Sequence, residues 1–390
     1  MRAFPKLPVL GWAAYSGEHE TPSPGVLNTR YRRYTISGRA AISLALQVLG
    51  ARPGSKVLVP TYHCTTMIVP IVHADMQPVF YATTARGAPD LEWLQRSDMN
   101  GVRAMLCAHY FGLPQPMSAV RDFCDRHGIS LIEDCAHAFF GISDDRPIGS
   151  WGDIAIASLT KFFPVPEGGM LASTTWPLDA LFLTPRTLRD ELKAAADAIE
   201  VGAQHARFPG LNSLFNSVFA LKKWLRRNNG RAPAPADLHE LAPQVLGRLL
   251  ASAKPALAVR WIADGVHRER IVALRRRNYQ LLAKLLTGMA GARVMSAELT
   301  DSAVPYVFPL YVYEPQASYL PLRRAGVPIF RWDEVWPGTP VIENDHGLDW
   351  ATHVFQLGCH QDLSVEDIEA IAATVREIIA HGAGESKPTH

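Results

Sequence analysis

The chain has 390 residues, 48% of them hydrophobic, enough to bury a sizeable core, so it reads as one large domain joined to a smaller one rather than a string of modules. Lys and Arg number 39 against 37 Asp and Glu, and this near balance excludes a polyanion-binding surface over the whole molecule and, with it, nucleic acid as a partner. The five cysteines, at positions 64, 107, 124, 135 and 359, form no CxxC pair and are odd in number, so a reducing compartment fits better than a disulfide framework. The N-terminal stretch is broken by Pro5 and Pro8 and lacks a signal-type apolar region, and no run reaches the ~18 apolar residues of a membrane span. The expected location is the cytoplasm.

In chain order, short apolar runs alternate with amphipathic stretches from Gly38 to about Ser173, the pattern of βα units on a mostly parallel sheet. Strands are expected at 56–59, 78–81, 104–108, 130–133, 153–157 and 170–173. Helices are expected at 40–49, 65–73 and 118–127, with Gly50 and Gly128 as their stops. From Pro177 to about Tyr279 the chain reads as largely helical, with a Pro/Ala-rich break at 231–236. Inside it, 211–227 forms an amphipathic helix in which Leu214, Phe215, Val218, Phe219, Leu221, Trp224 and Leu225 back onto Lys222, Lys223, Arg226 and Arg227. Such a face packs on its own protein or a dimer partner, or makes weak contact with an anionic membrane surface. Strand-like residues return at 304–312, a closing helix is expected at 365–379, and the tail 382–390 is polar. The fold class is α/β: a large domain over 1–241 with a mostly parallel central sheet and a divergent helical insertion at about 175–241, then a small α+β domain over 242–390.

Four segments carry chemistry. Leu131-Ile132-Glu133-Asp134-Cys135-Ala136-His137 is an apolar strand ending on acids, and ligands of open α/β sheets bind beyond such strand ends. Taken alone, Asp134 is better explained as a helix cap. The run from Gly152-Asp153 to Ser158-Leu159-Thr160-Lys161 delivers a Ser and a Lys into a loop punctuated by Pro164, Pro166, Gly168 and Gly169. An apolar neighbourhood depresses an ammonium pKa, and only the neutral amine attacks an aldehyde. Ser37-Gly38-Arg39-Ala40-Ala41 precedes an apolar-periodic helix, whose first amides suit a phosphate. Pro60-Thr61-Tyr62-His63-Cys64-Thr65 follows a strand and offers a flat ring, Tyr62 or His63, to the face of a cofactor.

Together and in this order, Gly38-Arg39-Ala40-Ala41, Pro60-Thr61-Tyr62-His63-Cys64, Pro78-Val79-Phe80, His109-Tyr110-Phe111-Gly112, Glu133-Asp134-Cys135-Ala136-His137, Gly152-Asp153, Ser158, Lys161, Glu167-Gly168-Gly169 and His360-Gln361-Asp362-Leu363-Ser364 resemble the DegT/StrS family of pyridoxal-phosphate (PLP) dependent aminotransferases. The resemblance covers most of 36–173 and thins out in the last third. It implies a fold-type I transferase, with Lys161 holding PLP as a Schiff base and later moving the proton, and Asp134 pairing with the pyridine nitrogen. It further implies that Gly38, Arg39, Ala40 and Ser158 cradle the phosphate, that His137, standing where the family has Gln, reaches the phenolic side, and that His63, or Tyr62, stacks on the ring. The partners it implies are a small-molecule amino donor such as glutamate, a keto or aldehyde acceptor of the nucleotide-sugar kind, and a second copy in a homodimer.

The sequence also departs from that pattern. Ser158 sits only three residues before Lys161, so the loop must turn differently, and 175–255 lacks the segment that relatives extend into the partner's site, a role open to Asn212 or Asn216. Three competing chemistries fit less well. Ser158-Leu159-Thr160-Lys161 satisfies S-x-x-K, but follows a strand and lacks the Ser-Asp-Asn and Lys-Thr-Gly partners of the serine acyl-enzymes. The Cys/His pairs at 124/127, 135/137 and 359/360 match no zinc spacing, so no metal is expected. A dehydratase relative replaces the lysine by His, which this chain does not. A non-catalytic homologue, or one acting on a non-sugar or lipid-linked acceptor, stands as the alternative.

Overall fold

The computed structural model describes residues 4–17, 23–228 and 252–385. The expected break at 231–236 and the expected domain boundary at 241/242 lie outside the described residues.

The first half builds β1 (Tyr31–Thr35), α1 (Gly38–Val48), β2 (Lys56–Pro60), α2 (Thr65–His73), β3 (Gln77–Tyr81), α3 (Leu91–Gln95), β4 (Val102–Ala108), α4 (Ser118–His127), β5 (Ser130–Asp134), a short β6 (Ile142–Ser143) and β7 (Arg146–Pro147) hairpin, β8 (Ile154–Ser158) and β9 (Gly169–Ser173). The second half contributes α5 (Leu188–Gln204), α6 (Asn212–Asn228), α7 (Leu257–Gly265), α8 (Arg268–Leu286), β10 (Ala292–Val294), β11 (Val307–Val312), α9 (Pro315–Arg324), β12 (Ile329–Phe330), α10 (Gly347–His353), β13 (Val354–Gly358) and α11 (Val365–Glu385).

Seven strands form one sheet in the order β1-β9-β8-β5-β4-β2-β3. The β3, β2, β4, β5 and β8 ladder is parallel throughout, and β9 alone runs against its neighbours on both sides. The central strands are covered on both faces, so they read as continuous apolar runs rather than alternating ones. One face packs Ile132 and Ile156 against Ala41, Leu44 and Ala45 of α1 and Ile68 and Ile71 of α2. The opposite face sets Leu58, Met105 and Leu131 against Val120, Phe123 and Cys124 of α4. Each fully buried aliphatic of this kind contributes about 1.5–3 kcal/mol.

Local signals set the helix ends. The Ser37 hydroxyl accepts the Ala40 amide at 3.2 Å and starts α1, while Gly128, at φ 62°, takes the left-handed conformation that stops α4. Of the strands missing from the expectation, β1 belongs to the main sheet; it reads YRRYT and is largely half-exposed at the sheet edge, so it carries no apolar run to announce it.

A second, antiparallel sheet, ordered β10-β11-β13-β12, buries Phe308, Leu310, Phe355 and Leu357 under Tyr279, Leu282 and Leu286 of α8 and Ile368, Ile371 and Val375 of α11. Its connecting residues Val304 and Tyr306, with Trp350 of α10, belong to the core of the first sheet, so the two sheets are packed together. Between the two sheets in chain order come α5 and α6, which pack on each other; Thr187 caps α5 by accepting the Asp190 amide at 3.2 Å through its side chain. The amphipathic helix expected at 211–227 is α6. Leu214, Val218, Leu221 and Trp224 are more than half exposed, and Lys222 pairs with Glu200 at 3.6 Å rather than standing alone; the side chains of Lys223 and 225–228 lie outside the described residues. No helix among the described residues is long and apolar enough to cross a membrane.

Candidate active site

The parallel strands end together at one edge of the sheet, and β5 and β8 place Asp134 and Ser158 there. A cavity of about 400 Å³ opens beyond that edge, and Asp134, His137, Ser158, Thr160 and Lys161 all line it, as do Gly38, Arg39 and Ala40. After Ser158 the chain turns at once through a single 3-10 turn, Leu159–Lys161, which accounts for the short spacing between the Ser and the Lys. The Ser158 and Thr160 hydroxyls lie 3.3 Å apart on the cavity wall. Across from them, α1 begins with the amides of Gly38 and Arg39, which have no intrahelical acceptor. The entry of β9 closes this corner tightly: a Cβ at Gly169 would sit 2.3 Å from the Ser37 carbonyl carbon and 2.6 Å from the Gly38 nitrogen.

Burial holds the Lys161 ammonium below the usual lysine range, against the opposing pull of Cys64 and Asp134. Its Nζ faces the Tyr306 ring at 5.3 Å and the Trp332 ring at 6.0 Å. Burial raises the Asp134 carboxyl, while the Ala136 amide, bound to Oδ1 at 2.8 Å, and the charges of Lys161 and His109 work the other way. His137 accepts the Phe111 amide through Nδ1 at 3.4 Å, so its remaining proton belongs on Nε2. Burial, then Lys161, push its pKa well below the ordinary histidine value, and the ring stays neutral between Tyr306 at 4.5 Å and Trp332 at 4.7 Å.

Directly behind Asp134, Glu133 has a different job. Its carboxylate accepts from His109 Nε2 at 3.1 Å and from the amides of Gly149, Trp151 and Gly152 at 2.7, 2.8 and 3.0 Å. Burial acts to raise its pKa, but these donors outweigh burial and hold it below the ordinary range. His109 accepts the Gln115 amide through Nδ1, which fixes the proton on Nε2. His109, Glu133 and Cys135 bring ligand-type atoms within 4.8 Å of one another, yet the oxygens of Glu133 are already saturated, so this is a structural knot that ties three loops to β5.

Of the residues picked from the sequence, His63, its alternative Tyr62, Asn212 and Asn216 do not line the cavity. His63 is fully buried, with Nδ1 at 3.0 Å from the Pro60 and Thr61 carbonyls and Nε2 accepting the Trp336 amide at 2.9 Å, so backbone groups use both nitrogens. Tyr62 is also buried, among Tyr110, Trp332 and Trp350, with its hydroxyl accepting from Gln356. The neighbours Cys64 and Thr66 line the cavity instead, and so does Tyr110. Trp332 lines the cavity and also packs on the buried Tyr62 ring at 5.2 Å. Arg186, inside the divergent region, also reaches the wall and holds Glu167 in a two-oxygen pair at 2.8 and 2.9 Å. Asn212 spends its side-chain oxygen on the Phe208 amide, and Asn216 is exposed. No spacing rule singles out Thr66, Arg186 or Trp332, because the first turn of α2 and two separate loops bring them to the cavity.

The mostly parallel sheet, with a lysine and an aspartate at its carboxyl edge and an antiparallel sheet packed beside it, has the α/β architecture of the fold-type I transferases. An aminotransferase from Streptoalloteichus hindustanus, TlmJ, superposes with a TM-score of 0.62 over 90% of this chain and 86% of that one; at 18% identity this likeness establishes the fold alone. Residues 27–181 match the sequence model of the DegT/DnrJ/EryC1/StrS aminotransferase family. GDP-perosamine synthase of Vibrio cholerae is 29% identical over 172 residues, 42% of this chain and about half, 47%, of that protein. A dTDP-4-dehydro-2,3,6-trideoxy-D-glucose 4-aminotransferase of Saccharopolyspora spinosa is 22% identical over 90% of this chain and 85% of its own length.

Proposed function

We propose that the chain is a PLP-dependent aminotransferase that moves an amino group from an amino acid, glutamate in the simplest case, to a keto or aldehyde carbon, with a nucleotide-linked keto sugar as acceptor. The observation that carries this reading is that Lys161 and Asp134 line one cavity together with the start of α1. The residues fit the cofactor on their own chemistry. Arg39 lines the cavity and has no hydrogen bond or ion pair among the described residues, and the free α1 amides and the Ser158 and Thr160 hydroxyls complete a phosphate-type donor set. Relatives named for transamination of nucleotide-bound sugars support the acceptor class.

Bound PLP supplies an aldehyde and an electron-withdrawing ring. Asp134 would pair with the protonated ring nitrogen; burial raises its carboxyl, and the Ala136 amide and Lys161 oppose that rise. Lys161 offers a neutral amine at lower pH than an ordinary lysine; it would hold the cofactor's aldehyde and would move the proton at the substrate carbon. His137 donates from Nε2 to an oxygen at the ring's edge without taking on charge. Trp332 and Tyr306 keep water from the amine. We take the working unit to be a homodimer, which sedimentation will report as a doubled mass.

The test is direct. Wild-type protein mixed with PLP should gain visible absorption and lose it on adding glutamate, and Lys161→Ala should do neither. Persistence of both signals in Lys161→Ala would remove the lysine from the mechanism. The compound that then restores the visible band identifies the acceptor.

A further inference from the structure

Behind the cavity lies a buried guanidinium that touches nothing inside it. Arg275 of α8 has no exposed surface. Its Nε donates to Gln361 Oε1 at 2.8 Å, Nη1 donates to the Pro305 and Tyr306 carbonyls at 3.1 and 3.0 Å, and Nη2 donates to the carbonyl of Lys161 itself at 2.6 Å. The Phe162 ring lies 4.4 Å below the guanidinium, and Gln361 Nε2 donates to the Phe162 carbonyl at 2.9 Å. No carboxylate stands at ion-pair distance from Arg275 among the described residues; Asp362, the nearest acid in charge effect, is taken by Arg270 and the Val9 amide.

This arrangement is costly. A buried cation without a counter-ion is strongly disfavoured, and an apolar residue of similar volume would fill the space at less expense. Burial pulls the guanidinium down to about 10, a residue of that cost. What the side chain gains for the molecule is a backbone joint between two segments: residue 161, whose amine enters the cavity, and Pro305-Tyr306, whose ring stands 5.3 Å from that amine and 4.5 Å from His137. A lysine could not do this, because one ammonium offers three donors from a point while the guanidinium spreads five over a rigid plane.

We infer that Arg275, squared by Gln361, is a positioning residue that fixes where the Lys161 amine and the Tyr306 ring stand relative to each other across the cavity. The inference rests on the reading of Lys161 as the reacting amine. Gln361 belongs to the His360-Gln361-Asp362 segment singled out in the sequence, and the clamp gives that segment a task at the site.

The experiment uses the full chain as Arg275→Lys and Gln361→Leu, each mixed with PLP and then with glutamate. Three quantities are read: PLP affinity, the visible circular dichroism of the bound cofactor, which reports its seating, and the single-turnover rate at saturating glutamate. Both variants should still bind PLP, show an altered dichroic band, and turn over about 10–100-fold more slowly, with glutamate affinity moved far less than the rate. In Arg275→Ala, added guanidinium should restore part of the rate. Folded, PLP-binding variants that keep the wild-type band and a rate within about twofold would overturn the inference, since 10–100-fold is the loss expected from misplaced support. Gln361→Leu keeps the test open should Arg275→Lys fail to fold. Failure of the underlying reading looks different: wild-type protein would then show no band dependent on Lys161.

Discussion

The strand-edge region from Leu131 to Gly169 and the helical pair α5 and α6 solve opposite problems. At the strand edge polar groups are buried and nearly all are answered: Glu133 accepts four hydrogen bonds, and the unanswered donors are those that face the cavity. In α5 and α6 the apolar groups are the unanswered ones, with Leu188 75%, Leu192 64% and Trp224 57% exposed. The difference teaches how to separate architecture from chemistry. Glu133 and Asp134 are adjacent carboxylates on one strand, yet one is sealed into the scaffold and the other is left available to a ligand.

Four substitutions sharpen that contrast, taken from the largest effect down. Glu133→Ala strands His109 and three buried amides, and should cost several kcal/mol in urea unfolding, at about 1–3 kcal/mol for each buried donor left without a partner. Asp134→Asn should fold normally but, on the proposed reading, lower the turnover rate about 10²–10³-fold, the scale of a lost electrostatic partner in a dry site. A stability loss for Asp134→Asn as large as that for Glu133→Ala would erase the distinction between the two acids.

Lys161→Met should stabilise the protein without cofactor by about 0.5–2 kcal/mol, as removal of a functional but strained group commonly does. The sign follows from burial. The folded-state pKa of this lysine lies below its unfolded value, so between the two the unfolded chain holds more protons and wild-type stability rises with pH. The advantage of Lys161→Met is therefore full below the folded pKa and fades as pH climbs towards about 10.4, the ordinary lysine value. Thermal melts across that range read it directly. Least of all, Leu214→Ser on the exposed face of α6 should move stability by no more than about 0.5 kcal/mol, and a larger loss would show that something covers this face in solution.

Much of the parallel sheet was legible because buried parallel strands are uninterrupted apolar runs, and α2 and α4 begin and end where their spacing places them. Gly128 announced its own left-handed stop. The edge strand β1 was not legible, since Tyr31–Thr35 alternates charge with half-exposed rings, and β12 and β13 are too short or too ordinary in composition to stand out. In the site, Asp134, Ser158 and Lys161 could be picked out because strand ends deliver them to one edge. His63 misled for a reason a sequence does not display: its backbone neighbours and the distant Trp336 amide consume both ring nitrogens. Trp332, Arg186 and Arg275 arrive from loops or helices far along the chain, so only the packing of one sheet on the other brings them to Lys161.

The single reversed strand has a mechanical result. Because β9 pairs Gly169 with Thr35 on one side and with Ser158 on the other, the ten residues that carry Lys161 leave and rejoin the sheet at the same level as the start of α1. Both feet of that excursion are anchored in a common frame, so the spacing between the amine and the first turn of the helix survives any rocking of the antiparallel half. The opposite wall, Tyr306 and Trp332, comes instead from residues that flank β11 and β12 of the antiparallel sheet.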